Sequence, residues 1–276
     1  MRIHLPTVLV SSVLALNAVC ASGGSVAVVF YNDQFGLLND ATGAYTQVGT
    51  LPVSASSGIA SMNGLLYLED MGTNLYTVDP VTGLSSRVGP TGLSAMSGAF
   101  AGDSDGLYEV DYGSNLYSIN PTTGAAELIG ATGLAANNGS NDTSLAASGT
   151  SLYYTVGAPG AYDELYELNV LTGLATDLGS TGVTGIAGAA IVGSELELYQ
   201  YGQGANYIYS APVGMTNFVQ GAQLAAQIID GGAVIGASAS SDQSAATPEP
   251  RSACLLALGI VSLTFANRRL SIRKQR

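Results

Sequence analysis

The sequence predicts an all-β fold, a β-propeller of five four-stranded blades, from three observations. The first is an internal repeat. The segments "FGLLNDATG" (35–43), "NLYTVDPVTG" (74–83), "NLYSINPTTG" (115–124) and "ELYELNVLTG" (164–173) align, with a weaker fifth, "NYIYSAPVG" (206–214). Their closing glycines, Gly43, Gly83, Gly124, Gly173 and Gly214, are spaced 40, 41, 49 and 41 residues apart, close to the period of a propeller blade. The second observation is composition: 36 Gly, no Trp and only 10% charged residues. Short elements joined by tight turns fit that better than long helices, in whose interiors Gly is unfavourable. The third is turn chemistry. In Asp79-Pro80-Val81-Thr82-Gly83 the Asp can bond its own backbone, Pro presets φ, and Gly takes positive φ.

Each unit then supplies four strands. The innermost is made of small residues: "SGIASMNG", "SGAFAGDSDG", "TSLAASGTS" and "GIAGAAIVGS". These suit a crowded centre where blades converge. The second carries a Leu-Tyr pair: Leu66-Tyr67, Leu107-Tyr108, Leu152-Tyr153 and Leu198-Tyr199. The third is the aligned repeat itself, and the turn above joins it to the fourth. The fourth strands read "YTQVGT", "SSRVGPTG", "AELIGATG" and "ATDLGSTG". Tyr, Val, Ile and Thr favour pleated, half-buried surfaces. The first unit offers only "VAVVFYN", "FGLLN" and "YTQVG", so its inner strand is missing. The segment "IIDGGAVIGASAS" (228–240) resembles the other inner strands and is expected to complete the first blade, closing the ring with strands from both ends. Closure removes exposed sheet edges. A solenoid or a β-sandwich of equal strand count is the alternative. The recurring tyrosines (Tyr67, Tyr76, Tyr108, Tyr117, Tyr153, Tyr166, Tyr199 and Tyr209) are expected to pack between blades.

Charge is divided sharply along the chain. Six of the eight Lys and Arg lie in the last 26 residues, and only Arg87 lies in the body. Nineteen of the twenty acids fall between Asp33 and Asp242, leaving the stretch 33–242 at a formal −18. Such a surface repels phosphates, which excludes nucleic acid as a partner.

The two ends read as targeting segments. Residues 1–21, "MRIHLPTVLVSSVLALNAVCA", have an early Arg, an apolar run and small residues before a cleavage point after Ala21, the layout of a secretory signal peptide. A lipoprotein signal at Cys20 competes, but Val19 is large for the position before it. The body spans 22–240, and the Ser/Ala/Pro-rich stretch 241–251 is a linker. Residues 252–267 form an apolar segment, expected as a helix that enters a membrane, and 268–276 a basic tail of Arg268, Arg269, Arg273, Lys274 and Arg276. The positive-inside rule keeps that tail cytoplasmic and the body outside.

Pro248-Glu249-Pro250, the apolar run and the terminal basic cluster together resemble the PEP-CTERM sorting signal of bacteria. That resemblance covers about 30 residues. It implies recognition by an exosortase, a membrane-embedded processing enzyme, with cleavage near the motif. It also implies final association with exopolysaccharide or the cell surface. An ordinary single-pass tail anchor is the alternative.

The residue inventory argues against most chemistry in the body. Once a signal peptide is removed, His4 and Cys20 leave with it, no His remains, and the one Cys left is Cys254. Ser-His-Asp and Cys-His arrangements and the usual zinc sites cannot be assembled. "YGQGANY" (201–207) lacks the third Gly of a dinucleotide fingerprint and reads as a loop, as does the sequon-bearing "NNGSNDTS" (137–144). Asp103 and Asp105 in "GDSDG" read first as a hairpin turn and second as a calcium candidate; no other cofactor is expected. The sequence therefore points to an exported, non-enzymatic binding or structural module. The alternative is a carbohydrate-active hydrolase using propeller carboxylates.

Overall fold

The computed structural model describes residues 25–29, 33–52, 55–70, 72–93, 97–136, 143–157, 160–202, 204–225 and 230–234. The chain divides into two compact units, Met1–Ser238 and Ala239–Arg276, and every described residue belongs to the first. The signal peptide, Pro248-Glu249-Pro250, the apolar segment with its expected anchor helix, and the basic tail lie outside the described residues.

Blade 1 contains β1 (Ser25–Val29), β2 (Gln34–Asn39) and β3 (Tyr45–Thr50). Blade 2 is β4 (Ala55–Met62), β5 (Leu65–Asp70), β6 (Asn74–Val78) and β7 (Ser85–Pro90). Blade 3 is β8 (Ser97–Gly102), β9 (Leu107–Asp111), β10 (Asn115–Ile119) and β11 (Ala126–Ala131). Blade 4 is β12 (Thr143–Ser148), β13 (Ser151–Val156), β14 (Glu164–Asn169) and β15 (Ala175–Ser180). Blade 5 is β16 (Ile186–Val192), β17 (Glu195–Gln200), β18 (Tyr207–Pro212) and β19 (Val219–Gln223). The last strand, β20 (Asp230–Val234), returns to blade 1 as its inner strand, giving the order β20-β1-β2-β3. All pairings are antiparallel. The five-bladed ring and its closure by strands from both ends are as the repeats predict. Because Val26 pairs with Val234, the chain enters and leaves the ring at the same end of blade 1. The eight extra residues between Gly124 and Gly173 are accommodated in a longer β11–β12 connection and a longer β13–β14 loop.

The second strands are buried on both faces because each blade is sandwiched between two others, while the fourth strands are mostly exposed. In β1, Val26 and Val28 face blade 5, while Ala27 and Val29 face blade 2, following the period-two alternation of a strand. Among the described residues, five apolar clusters fill the five gaps between neighbouring blades. Every tyrosine of the recurring set belongs to one of them or packs against it.

The turns carry the signatures expected of them. Gly43, Gly83, Gly124, Gly173 and Gly214 all have φ between 68° and 83°. Asp79 Oδ1 accepts the N–H groups of Val81 and Thr82, and Asn120 and Asn169 repeat the arrangement. These bonds, Thr82 first, lower the Asp79 pKa. The turn glycines also admit the neighbouring blade: a Cβ on Gly124 would lie 2.6 Å from the Gly89 carbonyl oxygen. Gly124→Ala therefore meets both a left-handed φ and a backbone clash, and should lower stability by about 3 kcal/mol. Gly64→Ala, with φ 79° but nothing within 4 Å, should cost about 1 kcal/mol. Urea midpoints compare the two; equal costs would show that the blades yield without strain.

A second repeated device ties each blade at its other end. After the fourth strand, the N–H of Leu51, Thr91, Thr132, Thr181 and Leu224 donates to the carbonyl of Asp33, Thr73, Ser114, Asp163 and Asn206, respectively, at 2.8–2.9 Å. In blades 2 to 4 the Thr hydroxyl donates to that same carbonyl. The tie holds Thr73 at φ 57°, a conformation that a β-branched residue adopts only under constraint.

Candidate functional site

The ring centre is built from β4, β8, β12, β16 and β20, and their sequences contain one acid, Asp230. β8, β12 and β16 present Ala99, Ala101, Ala146, Ala189 and Ala190, all buried. Carboxylates thus enter mostly on second strands and in loops, where the structure gives them local partners.

In blades 2 and 3 those partners repeat. Asp70 Oδ1 accepts the Asn74 N–H at 2.8 Å and its Oδ2 accepts the Tyr76 hydroxyl at 2.9 Å. Asp111, Asn115 and Tyr117 form the same set at 2.8 and 3.2 Å. Burial raises the pKa of both tyrosines, with a further contribution from their Asp. Arg87, the body's one cation, donates to Asn74 Oδ1 at 2.7 Å and so braces this loop. Glu69 is fully buried and accepts the Thr91 hydroxyl at 3.0 Å. Asp163, also fully buried, accepts the Ile186 N–H at 2.8 Å and thereby links the β13–β14 loop to the inner strand of blade 5.

Asp103 and Asp105 occupy the β8–β9 turn. Asp103 Oδ1 accepts the N–H groups of Asp105 and Gly106, and its Oδ2 accepts the Gly149 N–H of blade 4 at 2.7 Å. Asp103 is thus a turn cap and an inter-blade contact. Among the described residues no group of three or more His, Cys, Asp or Glu is placed to hold a metal ion.

The unusual acid is Glu197. It is 8% exposed at the junction of blades 5 and 1, beside the cluster of Val26, Val28, Tyr199 and Ile208. Its pKa is raised from 4.5 to about 7, first by burial, with repulsion from Asp40 and Glu195 added and a Tyr199 bond opposing it. The Tyr199 hydroxyl donates to Glu197 Oε2 at 2.9 Å. Tyr199 itself is held well above its ordinary pKa, by burial and then by the neighbouring Glu197 charge.

Glu197 also corrects the alignment read from sequence. Strand register sets Leu66, Leu107, Leu152 and Leu196 at equivalent places, opposite Val78, Ile119, Leu168 and Ala211. The equivalents of Tyr67, Tyr108 and Tyr153 are therefore Glu197, not Tyr199. The Leu198-Tyr199 pair lies two residues further along. Counting from the inner hairpin turn would have revealed this, since Tyr67, Tyr153 and Glu197 are each the third residue after a two-residue turn.

A shallow cavity of about 220 Å³ lies against blade 4, lined by Thr150, Ser151, Glu167, Asn169, Leu171 and Thr176. Its acid is held by the Ser151 hydroxyl, 2.5 Å from Glu167 Oε1. One carboxylate in an open polar cleft does not form the acid pair that glycoside hydrolysis requires.

No family model matches the chain, and no curated protein matches it. Among solved structures, a chain of a nidogen–laminin complex superposes with TM-score 0.51 at 8% identity, over 78% of this chain and 99% of that one. TolB from Acinetobacter baumannii gives 0.43 at 12% identity, over 76% of this chain and 66% of that one. Glutaminyl cyclase from Myxococcus xanthus gives 0.43 at 14% identity, over 76% and 93%. At such identities the likeness concerns the fold alone. The five four-stranded antiparallel sheets of this chain make that fold an all-β, five-bladed propeller.

Proposed function

We propose that the chain is an exported bacterial protein carrying a PEP-CTERM sorting signal, and that its propeller is a non-enzymatic binding or structural module at the cell surface or in the extracellular matrix. The carrying observation is how the body uses its carboxylates. Asp70, Asp79, Asp103, Asp111 and Asp163 each cap a turn or tie one segment to another. Glu197, whose pKa burial raises to about 7, is enclosed between two blades. Among the described residues that distribution serves a rigid scaffold, and the blade 4 cavity is lined by one acid, Glu167, rather than a pair.

The address reading rests on the tripartite tail, the signal-peptide layout and the opposite charges of tail and body, which suit opposite sides of a membrane. An exosortase is the proposed processing partner, the membrane a transient one and exopolysaccharide the final one. Replacing Pro248, Glu249 and Pro250 with Ala should leave the tail uncleaved and the protein in the inner membrane. Intact mass and fractionation of cells and medium read this out. An unchanged mature mass and location would leave a plain tail anchor.

A further inference from the structure

We propose that Tyr162 and Tyr201, on either side of the connection Thr181–Ile186, are the stacking platforms of a binding surface for an uncharged polysaccharide. The inference rests on the reading of the body as a binding module and names its ligand class and site.

Tyr162 and Tyr201 stand outside the recurring tyrosine set. The eight repeat tyrosines are buried or half-buried between blades, whereas Tyr162 is 60% and Tyr201 37% exposed. Both rings are open to solvent, and each sits on or beside a residue fixed by backbone bonds.

The chain at both tyrosines is held on one connection, Thr181–Ile186. On one side, the Asp163 N–H donates to Val183 O at 2.8 Å, and the Ile186 N–H donates to Asp163 Oδ2 at 2.8 Å. On the other, the Tyr201 N–H donates to Gly185 O at 2.6 Å, and Gln200 Nε2 donates to Thr184 O at 3.1 Å. The two anchor points, Val183 and Gly185, are two residues apart, about 7 Å at full extension. Gly185 has φ 69°, and a Cβ there would lie 2.3 Å from Tyr201 O. The two tyrosines are thus pre-positioned on a rigid base, which lowers the ordering cost of binding.

The surface chemistry selects the ligand. In segments 160–162, 182–184 and 201–205 the exposed described residues are Gly, Ala, Thr and Tyr, with no charge among them. Asp163 is fully buried, and Glu164, at the start of β14, is half-buried. On a strongly acidic body polyanions are repelled, and the exposed described residues of this patch offer a cation no carboxylate. What remains is an uncharged chain with apolar C–H faces for the electron-rich face of a Tyr ring and hydroxyls for exposed Thr184 and backbone groups. A neutral sugar polymer has both.

The test is affinity electrophoresis of the full chain in neutral detergent, through native gels holding hydroxyethyl cellulose, dextran or alginate. At least one neutral polymer should retard the protein, and alginate should not. Tyr162→Ala and Tyr201→Ala should each weaken binding about three- to tenfold, the double variant more, and the Phe variants less than about twofold. Both side chains are exposed, so melting temperatures should not move. Unretarded migration in both neutral gels overturns the proposal. So does a double variant that binds like the parent, or stronger binding to alginate. Concentration-dependent self-association lost in the double variant, without glycan retardation, would assign the surface to a second copy of the chain instead. The location and mature mass of these variants should match the parent, which separates this outcome from that of the sorting-signal experiment.

Discussion

A chain ended after Ile229 should fail to form a cooperative fold, while one ended after Ser241 should keep it. The shorter chain lacks β20, and with it the partner of β1 across Val26↔Val234, Ala27↔Ala233, Val28↔Gly232 and Val29↔Asp230. Val26, Val28 and Val29 are fully buried in the closed ring. Exposing them would cost about 1.5–3 kcal/mol each if fully hydrated, a total comparable with the whole stability of an ordinary domain. The loss would also bare the edges of β1 and of the neighbouring inner strands, which invite pairing between molecules. The expected outcome is aggregation or a broad, non-cooperative urea transition for the shorter chain. A sharp transition at the same midpoint in both would mean that β20 does not hold the ring shut.

The second large effect is a pH dependence set by Glu197. Unfolded, it titrates near 4.5; folded, at about 7. Below pH 4.5 the carboxyl is neutral in both states and the blade 5–blade 1 junction has its full strength. As pH rises toward 7 the unfolded chain gives up the proton that the folded chain still holds, so stability falls, and the loss is complete above 7. A shift of that size is worth about 3 kcal/mol. The groups facing it, Asp40 across the junction and Glu195 on its own strand, repel the charged form, while the Tyr199 hydroxyl donates to it. Glu197→Gln keeps an acceptor for Tyr199 without the charge. Denaturant unfolding at pH 8 should show the variant about 2–3 kcal/mol more stable than the parent, and near equality at pH 4. A difference that does not change with pH would mean that Glu197 titrates alike in the folded and the unfolded chain, so that the junction does not hold its proton.

Much of the architecture is legible in the sequence because the same physical problem is solved five times. Each third-to-fourth-strand turn needs positive φ at one place, so Gly43, Gly83, Gly124, Gly173 and Gly214 mark the blades. The crowded centre needs small side chains, so the closing strand is recognisable by composition although it lies two hundred residues from β1. The tyrosine packing is readable for the same reason. What escapes is whatever the repeat does not impose. Glu197 replaces a Tyr, and the Leu198-Tyr199 pair two residues on mimics the repeat and hides the true register. The exposed Tyr162 lies in the lengthened loop of blade 4, for which the three-residue loops of blades 2 and 3 provide no template. Candidate binding groups therefore lie where the pattern breaks, because a position free of the repeat is also free of its packing duty.

The return of β20 to blade 1 has a mechanical consequence. Any pull on the chain beyond Val234 reaches the ring first through the bonds that β20 makes to β1. Antiparallel pairs pulled from one end open one bond at a time, like a zipper, and resist less than strands sheared along their length. If the tail tethers the protein, the strand that bears the load is the same strand that locks the blades together. Sustained tension would then open the molecule at blade 1 before disturbing any of the others.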